Sequence, residues 1–508
     1  MTRRRLLGLV SCLSAGALRA QRYDDLRIDA GHRVGFAETD ITPELGMERP
    51  GNYGKVFHEK FFDPCKVRAS VFDSGGERVA LVGLDALVIP RPIVLAARKR
   101  IENESGISGD AVMIAASHSH SSGPTGMVLE GEYDHADEFI QRLAYEWSSE
   151  ADTGYLQLVE DRIVEAVLRA DAGRVPAAVG FGWGVEDAAA FNRRFRMKNG
   201  LTYTHPRQGN PDIVEPAGPI DAQVGVTGAW DEHGRLTGCI VNYACHATAG
   251  PRGISANWIY WMERVIRGAY GSHVVVVFLP APNGDVTQVD NLSPHYRNTG
   301  TESQRLVGGS VGAEAVKALL AMYASGDWGG VARVSETLHL KRRRPNPARV
   351  QEAMRIARQK PDPSSAEWAF AKETVLLDAL LQKAPTVDAE VQAIQVGPAV
   401  FVGSPAEYFV EYGLQIKDGS PFPFTFPVEL ANGIVGYVPT LEAFGPHGGG
   451  YETRLTSYSN LQIDAGDRIA ETSIALTKKL TPGEPLKPPP AAKFTGPWSY
   501  GNLGPQVE

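Results

Sequence analysis

His118 and His120 close an apolar run, Ala111-Val-Met-Ile-Ala-Ala-Ser117, and open a small-residue loop, Ser121-Ser-Gly-Pro-Thr-Gly126. If the run is a strand, its side chains alternate, and both imidazoles project to one face. Two imidazoles at a strand end, beside a loop that lets other groups approach, suit a metal site or an acid/base pair. Polar residues at the ends of other apolar runs extend the set. Asp85 follows Val79–Val82, Cys245-His246 follows Cys239–Ala244, and Asn283-Gly-Asp285-Val-Thr287 follows Val274–Leu279. Glu407 follows Ala399–Gly403, and Tyr437 follows Ile434–Gly436. Ligands of α/β sheets gather at the carboxyl ends of strands. His118, His120, His246, Asp285, Thr287, Glu407 and Tyr437 are therefore candidates for one rim. Imidazole nitrogen and carboxylate oxygen suit zinc, whose chemistry serves amide or ester hydrolysis.

Each residue also has a plainer role open to it. His246 fits a hydrogen-bonded core histidine, and Glu407 fits a helix-start carboxylate favoured by the dipole. Asn283-Gly-Asp285 fits a turn, and Tyr437 a buried aromatic. The wide spacing between the candidates carries no local specificity, unlike His-Glu-x-x-His on one helix.

The elements that must position these residues alternate in type. Strand-length runs cover Val79–Leu87, Ala111–Ala116, Cys239–Ala244, Val274–Leu279, Ala399–Gly403 and Ile434–Val438. Tyr155, Val159, Ile163 and Val167 recur at helical spacing. Ala348–Lys360 and Ser365–Lys383 predict two helices split by Pro361-Asp-Pro363, the second with a serine cap. Ile463–Leu480 predicts a last helix, stopped by Thr481-Pro-Gly483. The expectation is an α/β protein: one large domain with stacked mixed sheets flanked by helices. That domain spans 34–480, and a proline-rich tail, 481–508, follows.

The chain has 508 residues, 43% hydrophobic and 22% charged, as an ordinary globular protein has. A net charge of −8 argues against a nucleic-acid binder, which would show a basic face. The basic run Lys341-Arg-Arg-Arg344 reads as a solvated surface stretch. Arg3-Arg4-Arg5 and the short apolar stretch Leu6–Ala17 read as an export signal within residues 1–20. Thr2-Arg-Arg-Arg-Leu-Leu7 has the look of a twin-arginine signal. Export places the protein in the periplasm or outside the cell. Leu9-Val-Ser-Cys12 resembles a lipoprotein box and ranks second. No stretch reads as a membrane span, though contact with a membrane surface is compatible with the chain. Cys65, Cys239 and Cys245 would remain after cleavage. At most one disulfide can form among them, and Cys239 and Cys245 on one strand are poorly placed to bridge.

Taken together, several dispersed motifs resemble the neutral ceramidase family. They run from Val34-Gly-Phe-Ala-Glu-Thr39-Asp40-Ile-Thr-Pro43 to Tyr451-Glu-Thr453. Between lie Ala-Ser-His118-Ser-His120-Ser-Ser-Gly-Pro124, Phe191-Asn-Arg193-Arg194, Pro219-Ile-Asp221 and Asn242-Tyr-Ala-Cys-His246. Asn283-Gly-Asp285-Val-Thr287, Pro405-Ala-Glu407 and Gly436-Tyr437-Val-Pro439 complete the order. The resemblance implies a zinc-dependent hydrolase of a linear amide, with N-acylsphingosine or a related lipid or small molecule as substrate. It implies one zinc ion held by His118, His246, Glu407 and Tyr437, with His120 beside it. Arg193 and Tyr451 match positions that contact the substrate and its developing oxyanion, and Thr287 matches the family's active-site serine. The departures are the threonine itself, a loop reading Ser-Ser-Gly-Pro, and only residues 452–508 after Tyr451. No immunoglobulin-like C-terminal domain is therefore expected, as in a compact bacterial branch. The rival readings are a metal-independent hydrolase with Thr287 as nucleophile and a histidine base, and a secreted binding protein on the same scaffold.

Overall fold

Three mixed sheets stack on one another, and each ends in one parallel pair. The computed structural model describes residues 28–250, 253–295, 300–496, 500–501 and 503–508. The expected export signal, with Cys12, lies outside them. In the first sheet His32–Asp40, Lys66–Ser74 and Glu77–Leu84 pair antiparallel in succession, and Val112–Ala116 joins Glu77–Leu84 in parallel. In the second, Ala178–Val185, Gln223–Trp230 and Leu236–Tyr243 run antiparallel, and Val275–Pro280 lies parallel to Leu236–Tyr243. In the third, Val331–Lys341, Thr386–Val396 and Ala399–Gly403 run antiparallel, and Phe424–Val428 lies parallel to Ala399–Gly403.

Parallel neighbours need a crossover, and a helix supplies each one. Arg91–Ser105, Trp258–Tyr270 and Val410–Gly419 are those helices. The chain thus contains three strand–helix–strand units, and His118, His246 and Glu407 lie just beyond the carboxyl ends of Val112–Ala116, Leu236–Tyr243 and Ala399–Gly403. Core residues from all three sheets, among them Val71, Ile240, Val277, Ile394 and Phe426, form one apolar cluster. The first two sheets approach so closely at Gly83 that a Cβ there would sit 2.2 Å from the Phe278 carbonyl oxygen.

The helices form where their periodicity places them. Thr153–Ala172 buries Tyr155, Val159, Ile163 and Val167, and the Asp152 side chain caps it by accepting from the Tyr155 amide. Pro347–Ala357 and Ala366–Lys383 form a hairpin capped by Asn346 and Ser365. The last helix is Ala465–Lys478. After it, Gln395 Nε2 donates to the Thr481 carbonyl (2.7 Å), so the tail begins docked on the third sheet.

Four expectations change. The strand before the histidines ends at Ala116, and His118 has φ 61°, so strand alternation does not bring the two imidazoles together. The run 434–438 pairs only at Tyr437–Val438, against Glu407–Tyr408. Glu407 is thus a strand residue, not a helix-start carboxylate. The basic run is not wholly solvated: Arg342 and Arg343 are half-buried, bonded to Asn460 Oδ1 (2.7 Å) and the Leu461 carbonyl (2.8 Å). Cys65, Cys239 and Cys245 are buried free thiols. Among the described residues no helix is long and apolar enough to cross a membrane.

Candidate metal centre

His118, His246 and Glu407 meet at one point although each comes from a different sheet. His118 Nε2 lies 3.1 Å from Glu407 Oε2, and His246 Nε2 lies 3.8 Å from the same oxygen. His118 Nδ1 is 3.0 Å from the Leu87 carbonyl, and His246 Nδ1 is 2.7 Å from the Asn283 carbonyl. A carbonyl only accepts, so each Nδ1 carries the proton and each Nε2 turns a lone pair inward. Glu407 Oε2 is buried and makes no hydrogen bond. Two imidazole nitrogens and a carboxylate oxygen therefore converge on one point, a set that a bound cation would satisfy. The donors, two imidazoles and a carboxylate, are a set zinc accepts.

His120 and Tyr437 flank this point. His120 Nε2 is 3.2 Å from His118 Nε2, and Tyr437 Oη is 3.5 Å from His246 Nε2. His118, His120 and His246 offer one nitrogen each within 4.8 Å of one another, so geometry admits His120 as well as Glu407 to the shell. Burial, helped by the other imidazoles and Arg193, holds His120 and His246 below the usual histidine range, which keeps both neutral. Burial works against ionisation of Glu407, but His118, Tyr437 and Arg193 outweigh it and hold its carboxyl below the usual range. Burial raises the Tyr437 and Tyr451 phenols, so both stay protonated in the absence of a cation.

Arg193 lies under the two phenol rings, its guanidinium carbon 5.4 Å from the Tyr437 centroid and 5.2 Å from that of Tyr451. It donates to Glu452 (3.1 Å) and to the Gly284 carbonyl (2.6 Å). Tyr451 Oη is 3.2 Å from Tyr437 Oη. Thr287 lies in the bridge to Phe191, next to the Val286 carbonyl that accepts from the His246 amide. Its hydroxyl donates to Gln288 Oε1 (2.9 Å), not to a histidine, so it lacks the base a nucleophilic threonine needs. Asp285 takes the plainer role: it accepts from Asn192 (2.8 Å) and from the Val410 amide (2.9 Å), anchoring a helix start.

Sequence reasoning missed the group that locks these loops together. Glu429, fully buried, accepts from the amides of Asn283 (2.9 Å) and Tyr408 (3.0 Å). Those are the carbonyl partner of His246 and the neighbour of Glu407. Asn432 does the same work between sheets, bonding Ile114 on both backbone groups and Gln392 through its side chain. His118, Leu430 and Asn432 all have φ between 50° and 63°, so backbone strain concentrates beside the site. Only the Asn432-Gly433 pair hints at a turn in the sequence.

A cavity of about 530 Å³ opens over the convergent atoms. His118, His120, Glu407, Tyr437 and Tyr451 line one part of it, while His246, Arg193 and Thr287 lie behind that wall. Its other walls are largely apolar, from Leu87, Val88, Met127, Phe370, Leu380 and Ile434.

No family model and no curated protein matches the sequence. Solved structures do. A neutral ceramidase from Pseudomonas aeruginosa superposes with a TM-score of 0.65 at 20% identity, over 91% of this chain and 77% of that one. A ceramidase complexed with C2 gives 0.64 at 18% identity, over 91% and 78%. This chain has the neutral ceramidase fold. At that identity the likeness is one of architecture, and the ceramidase fold here carries its convergent donors at the ends of three parallel strand pairs.

Proposed function

We propose that this chain is an exported zinc-dependent hydrolase of a linear amide, with N-acylsphingosine or a related N-acyl compound as substrate. The observation that supports it is the convergence of His118 Nε2, His246 Nε2 and Glu407 Oε2 at a wall of a largely apolar cavity. His118, His246, Glu407 and Tyr437 hold the ion. Bound zinc supplies a Lewis acid that activates water toward an amide carbonyl. The protein's own groups do the rest. His120, neutral and turned to the cavity, moves the proton to the departing amine. Tyr451 donates its hydroxyl proton to the developing oxyanion, and the Arg193 charge under its ring strengthens that bond. The apolar walls hold the chain and exclude bulk water.

The test is metal analysis and amide hydrolysis by purified wild type and His246→Ala. Wild type is expected to hold about one zinc per chain and the variant to lose both metal and turnover. A wild type without zinc, or a variant with full activity, rules the reading out.

A further inference from the structure

The cavity wall carries one cation that no carboxylate of the described residues meets in a direct ion pair. Arg342 lines the cavity at the end of strand Val331–Lys341. Its Nη1 donates to Asn460 Oδ1 (2.7 Å), its Nε is buried without a partner, and it makes no ion pair among the described residues. The other charged groups on this lining are accounted for. Lys372 pairs with Glu373 (3.0 Å), and Arg91 pairs with Glu390 (2.9 Å). Glu132 accepts from the Leu129 amide (3.2 Å) and acts on Arg342 through its charge, but no direct ion pair joins the two. A half-buried guanidinium with a neutral partner and no direct ion pair keeps donors free for an anion that enters the cavity.

Arg342 also stands apart from the convergent donors. A row of rings leaves that centre: Tyr437 packs on Tyr458 (6.4 Å between centroids), Tyr458 on Tyr53 (6.0 Å), and Tyr53 on Phe370 (5.4 Å). Arg342 reaches the cavity from beside this row, held by Asn460, whose Nδ2 donates to the Ser457 carbonyl (2.7 Å). The same lining includes the apolar side chains of Met127, Leu129, Leu380 and Val435. A substrate that filled this space would meet the metal centre with its amide, hydrocarbon with its chain, and a guanidinium with another group.

We propose that Arg342 selects an amide whose apolar chain carries a carboxylate, on the amine side or the acyl side, over an uncharged ceramide. This rests on the amide-hydrolase reading above and names its substrate class. A guanidinium presents a donor fork that a carboxylate fills with two hydrogen bonds, whereas a hydroxyl fills one and leaves the charge unanswered.

Three probes of one chain length separate the sources: N-lauroylethanolamine, N-lauroylglycine, and the ethanolamide of dodecanedioic acid. Wild type is expected to favour one carboxylate probe over the neutral one by at least about tenfold in kcat/KM, the scale of one hydrogen bond to a charged group. Arg342→Gln, which keeps a donor for Asn460, should collapse that ratio mainly through KM, and Arg342→Lys should restore part of it. The proposal is overturned if wild type treats all three probes alike, or if the ratio survives Arg342→Gln. If zinc-loaded wild type cleaves none of them, the hydrolase reading fails separately. Calorimetric binding of the same probes then decides: loss of carboxylate preference in Arg342→Gln upholds the anion subsite, and equal binding removes it.

Discussion

Two histidines two residues apart are set differently, and the reason is local backbone geometry. His118 turns back at φ 61°, which lets its Nδ1 meet the Leu87 carbonyl and sends its Nε2 toward Glu407. His120 continues into the loop, with its ring edge toward the cavity and against Gly51, where a Cβ would come 2.3 Å from Nδ1. His118→Ala is therefore expected to lose zinc, while His120→Ala keeps most of it and loses turnover. Metal content per chain, measured beside kcat on the two purified variants, checks this. Equal zinc loss in both would make His120 a ligand, as its 3.2 Å approach to His118 allows. At this scale the sequence was informative about types. Strand ends put His118, His246, Glu407 and Tyr437 among the candidates for one rim, but choosing these four as a ligand set depended on the ceramidase resemblance. The left-handed turn at His118 was not legible, since histidine has no intrinsic need for that conformation. Glu429 was equally hidden, a carboxylate flanked by Val428 and Leu430 with no motif around it.

The elements were easier to read than the pairings between them. Helices with caps and regular apolar spacing, such as Thr153–Ala172 and Ala366–Lys383, follow from local rules. Apolar runs predicted strands, but nothing local says which run lies parallel to which. That is a property of the crossover helices and of contacts distant in sequence. Short pairings escape altogether. Glu407–Tyr408 against Tyr437–Val438 is two residues long, yet it sets two site residues side by side. Gly436 makes this pairing feasible. Its φ is 80°, its carbonyl accepts from the Glu407 amide (2.9 Å), and a Cβ there would fall 1.3 Å from the Tyr458 carbonyl oxygen. Gly436→Ala must strain the backbone and push two segments apart, at a cost of about 3 kcal/mol or more. The expected outcome is a lower midpoint in urea and weakened zinc binding, because Tyr437 moves with the strand. A variant as stable as wild type, with unchanged metal affinity, would show that the segment yields freely there.

Across the whole molecule, stability depends on buried polar groups that tie separate sheets, and Asp63 provides a pH-dependent example. It lies in the segment leading to strand Lys66–Ser74, and accepts from the Ala256 amide (2.7 Å) and Ser255 Oγ (2.7 Å) just before helix Trp258–Tyr270. It therefore joins the first sheet to the crossover helix of the second. Burial pushes its carboxyl up to about 7; the two hydrogen bonds and the charge of Arg68 oppose that rise, and Asp85 adds to it. The folded value lies above the unfolded one, so the folded state holds this proton more tightly. The stability linked to it is fully present below about pH 4 and declines as pH rises through 7. A shift of this size corresponds to a loss on the order of 4 kcal/mol between those limits. Asp63→Asn keeps the shape and the acceptor for the Ala256 amide, gives up the bond from Ser255 Oγ at every pH alike, and cannot ionise. Its melting temperature relative to wild type should rise between pH 5 and pH 8, whatever the remaining carboxylates and histidines do to both proteins alike. Melting curves that run parallel across that range would mean that Asp63 ionises in the folded protein without penalty, and that the junction between the sheets is open to water.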